Sequence, residues 1–294
     1  MTPTGRQVRI EAGDYAATST EVGGGLRDLT YRGRSLVSGF GEDEIRAAYR
    51  GSVLAPWPNR VVDGRYAIDG VEFLLPHTEP ERGHALHGLV CWDRWQGGEV
   101  GADRCSWRLQ SVPQPWYPWA LTLTVTYRLD ADAGLGWQVS ARNDSADSAP
   151  VGLGVHPYFV LPAGVADDWH VVMPAGMIRG VDGPRLIPGE RVAFDGVEAP
   201  IGLRGKSFDN AFTDLAVHRA ALVDDVGHGI EVTWGETGGW VQVYTGDGMP
   251  HGWHRRAVAI EPMTCGPNAF NDPAGPPLLA PGESLELSVA IRVV

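Results

Sequence analysis

Cysteine is scarce in this 294-residue chain. Cys91, Cys105 and Cys265 are odd in number, widely spaced and in no C-x-x-C pair, which excludes a disulfide framework and a zinc knuckle and suits a reducing compartment. No stretch approaches the length and apolarity of a membrane span, and residues 1–6 run into alternating sequence without the apolar segment of a secretion signal. A formal charge of −12, from 24 basic and 36 acidic residues, is relieved by no run of Lys or Arg, so phosphate backbones and anionic membrane surfaces are repelled. A soluble cytoplasmic protein that binds neither nucleic acid nor membrane is expected. Also missing are a G-x-G-x-x-G turn opening a βαβ unit, a phosphate-binding P-loop and a G-x-S-x-G elbow. Nucleotide cofactors and serine-hydrolase chemistry therefore lack their physical supports. Helical periodicity is nearly absent, and only residues 42–49 read as a short helix.

What the chain has instead is period-2 alternation. From 119 to 129 the odd positions are Trp, Leu, Leu, Val, Tyr and Leu, while the even ones are Ala, Thr, Thr, Thr and Arg. That is a strand with one buried face. The pattern returns in residues 137–141, 230–234 and 285–293. The 39 glycines and 22 prolines cut the remainder into short strands and turns. Many short antiparallel strands imply a sandwich. The Pro-rich stretches 113–118 and 273–281 carry aromatics and a Leu pair, and read as packed loops rather than linkers. No 20–50-residue repeat points to a propeller or solenoid. The expected architecture is all-β: one large antiparallel β-sandwich domain over residues 1–294, as a monomer or homodimer.

Two segments carry the chemistry. Gly154-Val155-His156-Pro157-Tyr158-Phe159 and Ala259-Ile260-Glu261-Pro262 each set one titratable group in apolar, proline-edged sequence, where desolvation shifts proton affinity. His156 and Glu261 are a candidate acid/base pair. Modest upward shifts of both groups would leave a carboxylate base and an imidazolium acid near neutrality. Three further sites look placed for a small molecule: Asn59-Arg60 after Ala55-Pro56-Trp57-Pro58, His87 in Leu86-His87-Gly88, and Asp209 in Phe208-Asp209-Asn210. Each has a plainer reading as a turn, cap or ion-pair residue. The pairs His84/His87 and His251/His254 are spaced for a metal only on a helix. In strand or loop sequence residues three apart diverge, so no metal is expected. Cys265 reads as a buried inert thiol. Among eleven tryptophans, Trp57, Trp92, Trp95, Trp116 and Trp253 lie in loop-like sequence near these motifs; core packing is the stronger reading for each.

Taken in order, Asn-Arg, Leu-His-Gly, His-x-Tyr-Phe, Phe-Asp-x-x-Phe and a C-terminal Glu resemble the aldose 1-epimerase (galactose mutarotase) family over nearly the whole chain. The resemblance implies a large β-sandwich that interconverts the anomers of a free aldose without a cofactor. It also implies Glu261 as general base, His156 as general acid, and Arg60, His87 and Asp209, with Asn59 beside them, as the groups that hold the sugar.

The chain departs from the galactose mutarotase pattern at Val155 and Pro157, where Asn and Ser flank the His, and at Leu89, where a second Gly follows. That form is similar to divergent bacterial branches of the family, some of which act on modified or acidic sugars. A phosphorylated or sulfonated substrate would need an extra cation, and Arg46, Arg50, Lys206 and Arg255 are the candidates. A non-catalytic sugar-binding or sensing sandwich is the competing class; it would keep Arg60, His87 and Asp209 without needing the Glu261–His156 pair.

Overall fold

The computed structural model describes residues 2–196, 199–250 and 252–294. Its two large antiparallel sheets form the expected β-sandwich. One has nine strands and is centred on Leu121–Asp130, Gly134–Asn143 and Ser284–Val293. The other has eight and contains, side by side, Asp209–Leu215, Trp240–Tyr244, Val258–Met263 and Gly154–Val155. A four-stranded sheet from the first 35 residues packs against the nine-stranded one. No helix among the described residues is long and apolar enough to cross a membrane.

Alternation explains the packing. Leu121, Leu123, Val125, Tyr127 and Leu129 are all buried, while the threonines between them are partly exposed. They meet Trp137, Val139, Leu287 and Ile291 from their own sheet and Phe212, Val241, Val243, Val258 and Ile260 from the opposite one in a single core. Fully burying each such aliphatic or aromatic side chain contributes roughly 1.5–3 kcal/mol. The two Pro-rich stretches pack as expected: Tyr117 donates to the Pro150 carbonyl at 2.9 Å, and Leu279 is buried opposite Ala149.

The helix expected over residues 42–49 does not form. That segment is a series of turns, with Ala48 and Tyr49 both in the left-handed region at φ +53° and +56°. Eight residues make a marginal helix by themselves, and here Arg46 and Arg50 turn inward to donate to the carbonyls of Cys91 and Gly39.

The second face of the eight-stranded sheet positions the site. With Val241, Val243 and Ile260 pointing into the core, Gln242, Tyr244 and Glu261 must point the other way. There Tyr158, Ala257 and Ala259 form a small apolar cluster against Ala48, Tyr244 and Met249. The polar side chains beside it are buried by loops rather than by the opposite sheet.

Candidate active site

Strand register assembles the first half of the site. Gln242 pairs with Glu261. On the other side of Glu261's strand, Gly154 pairs with Met263 and Tyr158 with Ala259. Counting inward from both ends of that register puts His156 opposite Glu261. The ladder is interrupted there because Pro157 has no N–H to give. The His156 backbone points to the other side and bonds the 51–52 segment, donating to Ser52 O at 3.0 Å and accepting from Gly51 N at 2.9 Å. His156 Nε2 lies 3.4 Å from Glu261 Oε1. Its ring stacks on Tyr158, with centroids 4.9 Å apart, and meets the His87 ring edge-on at 5.1 Å. Gln242, Glu261 and His156 run in a row across neighbouring strands, and Asp209, which opposes Tyr244, joins them diagonally by accepting from Gln242 Nε2 on Oδ1 at 2.7 Å.

The other half comes from two short paired strands, Arg60–Val61 and Ala85–Leu86. Arg60 donates through Nε and Nη2 to both carboxylate oxygens of Glu79, at 2.8 and 3.0 Å, a two-point contact that fixes the guanidinium plane. Arg82 adds a third bond to Glu79 at 2.7 Å. Beyond the strands, Asn59 and His87 both take left-handed backbone, φ +57° and +62°. Gly88 follows at φ +76°, and a Cβ there would lie 1.9 Å from the Ala55 carbonyl oxygen. Only glycine fits that approach.

Asn59, Arg60, His87, His156, Asp209 and Glu261 all line one cavity of about 270 Å³, near the lower end of the ~300–1,000 Å³ typical of small-molecule sites. A larger hollow of about 620 Å³ opens elsewhere, among mostly aliphatic residues such as Leu36, Leu161 and Val293, and holds none of these six. Glu79, Arg82, Gln242 and Tyr244 also line the smaller cavity and went unnoticed in the sequence. Gln242 carried a signal: it is the one polar side chain between two valines in an alternating buried strand. Glu79 carried none, since its charged surroundings read as solvated loop.

The four cations proposed for an anionic substrate are not in this cavity. Arg46 and Arg50 are buried on backbone carbonyls, and Arg255 is held by Asp167 and Asp247. Lys206 is exposed. Among the described residues the cavity's cations are Arg60 and Arg82, both bonded to Glu79. Nor do the tryptophans enter it: Trp57 and Trp95 are core residues, Trp116 packs on the core, and Trp92 and Trp253 lie against Arg46 and Arg50.

The electrostatics correct the expectation of two upward shifts. Burial disfavours charge of either sign. It raises the Glu261 carboxyl well above its ordinary value, with the Asp209 charge adding to the effect, and it lowers the His156 imidazole to about 3. Asp209 is raised by burial as well, against the pull of Arg60. His87 is held well below the usual imidazole range by burial, with His156 and Arg60 adding to it. In the unliganded site the pair therefore prefers its shared proton on Glu261.

Ring nitrogens of His87 and His156 and a carboxylate oxygen of Glu261 all lie within 4.8 Å of one another, which is close enough for a metal ion. His87, however, accepts the Asn59 N–H on Nδ1 at 3.1 Å. Its neutral ring thus presents an N–H at Nε2, not a lone pair. His84 faces away, with Nδ1 accepting from Asp63 N and Nε2 against the Arg185 carbonyl. His251 lies outside the described residues, and its partner His254 contacts the Asp247 carbonyl. All three cysteines are buried and free, and burial pushes the Cys265 thiol up to about 12, consistent with an inert thiol.

Relatives share both the sequence and this architecture. Escherichia coli YihR, described as uncharacterized, is 33% identical over 272 residues, 91% of this chain and 87% of its own length. Galactose mutarotase from Rattus norvegicus is 29% identical over 94% of this chain and 88% of its own. Among solved structures, an Escherichia coli putative aldose 1-epimerase superposes with TM-score 0.85 at 21% identity, covering 98% of this chain and 99% of its own. An aldose epimerase homologue from C. elegans gives TM-score 0.86 at 20% identity, covering 98% of both chains. Residues 6–292 match the family described as aldose 1-epimerase, and with the mutarotase relatives and the fold agreeing, the chain belongs to the aldose 1-epimerase family.

Proposed function

We propose that this protein is a mutarotase that interconverts the α and β anomers of a free aldose, with Glu261 and His156 as its acid/base pair. The observation that carries the reading is the buried His156–Glu261 pair, 3.4 Å apart, at the wall of a polar cavity. A sugar-binding protein without turnover has no use for two facing groups whose proton affinities burial drives apart.

Ring opening removes the proton from the anomeric hydroxyl, breaks the bond between C1 and the ring oxygen, and delivers a proton to that oxygen as C1 becomes an aldehyde. Rotation about C1–C2 and reclosure on the other face give the second anomer. With Glu261 as base and His156 as acid, the shared proton must first pass from Glu261 to His156; opening then leaves the carboxyl protonated and the imidazole neutral. That is the form burial favours, so opening moves the pair toward its preferred protonation. Reclosure returns both protons, and the cycle balances without an oxidant or a cofactor.

The rest of the cavity suits a polyhydroxylated ligand. Arg60 offers donors on the guanidinium edge that Glu79 leaves open, and Asp209 offers acceptors. Gln242 Oε1 and Glu261 Oε2 are buried with no hydrogen-bond partner among the described residues. Leaving such atoms unpaired costs about 1–3 kcal/mol each, and sugar hydroxyls would satisfy them.

Polarimetry on freshly dissolved α-D-galactose and α-D-glucose tests the reading. Wild-type protein is expected to speed the approach to anomeric equilibrium, and His156→Ala and Glu261→Gln to lose that effect. Sugar binding by calorimetry without acceleration would replace the mutarotase by a binding protein.

A further inference from the structure

Asn59 and His87 are locked together by two reciprocal contacts. The His87 N–H donates to the Asn59 carbonyl at 2.9 Å, and the Asn59 N–H donates to His87 Nδ1 at 3.1 Å. Both residues hold left-handed φ, a region where Asn and His are among the best tolerated residues after glycine. The second contact has only one reading. A backbone N–H can donate but not accept, so Nδ1 carries a lone pair and the ring's single proton sits on Nε2. Protonating Nδ1 would set two N–H groups head to head in a site that is 5% exposed. Burial and the neighbouring Arg60 oppose that charge as well. With Nδ1 occupied, Nε2 is left for the cavity that the ring lines.

We infer that Asn59 is a positioning residue: its left-handed main chain fixes His87 as a permanently neutral Nε2–H donor toward the ligand. The inference rests on the mutarotase reading for the identity of that ligand, an oxygen of the sugar. Asn59's own side chain is turned onto the backbone, with Oδ1 accepting the Arg60 N–H at 2.8 Å. That bond braces the turn.

The lock has a chemical consequence. The His87 ring lies 5.1 Å from that of His156, close enough for a second free imidazole lone pair to compete for the proton that His156 and Glu261 exchange. Holding the proton on Nε2 removes that competitor and allows only an acceptor oxygen opposite the ring.

Long-range proton–nitrogen NMR of the ¹⁵N-labelled, sugar-free protein reads the tautomer directly, with His87→Gln used to assign the signals. The expected signature is Nε2–H with an unprotonated Nδ1, unchanged from about pH 8 to about pH 5. Asn59→Gly keeps both the N–H and the left-handed backbone, so it should keep that tautomer signature. An Nδ1–H tautomer, or a ring that protonates near pH 6.5 as a free imidazole would, overturns the inference. So does an Asn59→Gly protein whose His87 tautomer changes, since the side chain and not the main chain would then be setting it. The NMR measurement needs no turnover, so failure of the mutarotase reading in polarimetry leaves the tautomer result to stand or fall separately.

Discussion

His156 stands directly across from Glu261, the two residues on adjacent chain segments with Nε2 and Oε1 3.4 Å apart. Their register is that of an antiparallel pair, since Gly154 opposes Met263 and Tyr158 opposes Ala259. Side chains opposed in this way share one face of the sheet. Because Val258 and Ile260 occupy the core face, His156 and Glu261 must face the cavity together. One short stretch of pairing thus brings together groups more than a hundred residues apart.

Glu261→Gln should keep the fold and sugar affinity while reducing the anomerisation rate by about 10²–10⁴-fold, the usual contribution of a positioned proton-transfer group. The amide is isosteric and cannot take a proton. Burial already strains the charged carboxylate, so thermal stability should hold or rise. Polarimetry and a thermal melt check the two halves, and an unchanged rate would remove Glu261 from the mechanism.

Glu79 holds Arg60 by two hydrogen bonds, and both partners are buried, with side chains 5% and 9% exposed. Glu79→Ala leaves the Arg60 charge without its partner and should cost about 3–5 kcal/mol of stability. Glu79→Gln keeps the shape, so it should cost less stability while letting the guanidinium shift, raising KM more than it lowers kcat. Urea melts and a KM-against-kcat comparison distinguish these effects. Equal stability of wild type and Glu79→Ala would show the pair to be incidental.

The lowered His156 value makes stability pH-dependent with a definite sign. Above the ordinary imidazole value of 6.5 the ring is neutral folded or unfolded and contributes no slope. As pH falls from there toward about 3, the unfolded chain takes up a proton that the folded one refuses, so stability is lost. Glu261 and Asp209, raised by burial, act oppositely. A difference measurement isolates the histidine: in His156→Gln the free energy of unfolding should fall less steeply between about pH 6.5 and pH 4, by up to roughly 1.4 kcal/mol per pH unit. Parallel curves would mean that His156 titrates normally.

Gly88→Ala should be severe for so small a change. The new Cβ would meet the Ala55 carbonyl oxygen at 1.9 Å, at a φ of +76°. Strain at such a position costs on the order of 1–3 kcal/mol before any clash is counted. Because His87 precedes it, the loss should appear both in the melting temperature and in sugar affinity. A melting temperature within a degree or so of wild type would show that the 55–59 segment yields easily.

Much of this was legible in the chain itself. Alternation at residues 119–129 and 285–293 marked strands that do form, because period 2 is a local property of a half-buried strand. The six polar residues that stood out against apolar or glycine- and proline-edged sequence do line one cavity. Gln242 was missed because its role depends on pairing with Glu261, which is non-local. Glu79 was missed because a buried and a solvated glutamate look alike in sequence. Residues 42–49 misled because helical propensity over one or two turns is weaker than the inward hydrogen bonds of Arg46 and Arg50. The same bonds removed both arginines from the list of cations available to a substrate.

Residue spacing and apolar flanks are written along the chain, and they specify an antiparallel β-sandwich with an imidazole and a carboxyl set in dry surroundings. Packing of distant segments sets His156 against Glu261, moves their proton affinities in opposite directions by burial, and brings the Asn59 N–H onto His87 Nδ1. Register, depth of burial and hydrogen-bond direction arise when distant segments pack together, and no single segment carries them alone.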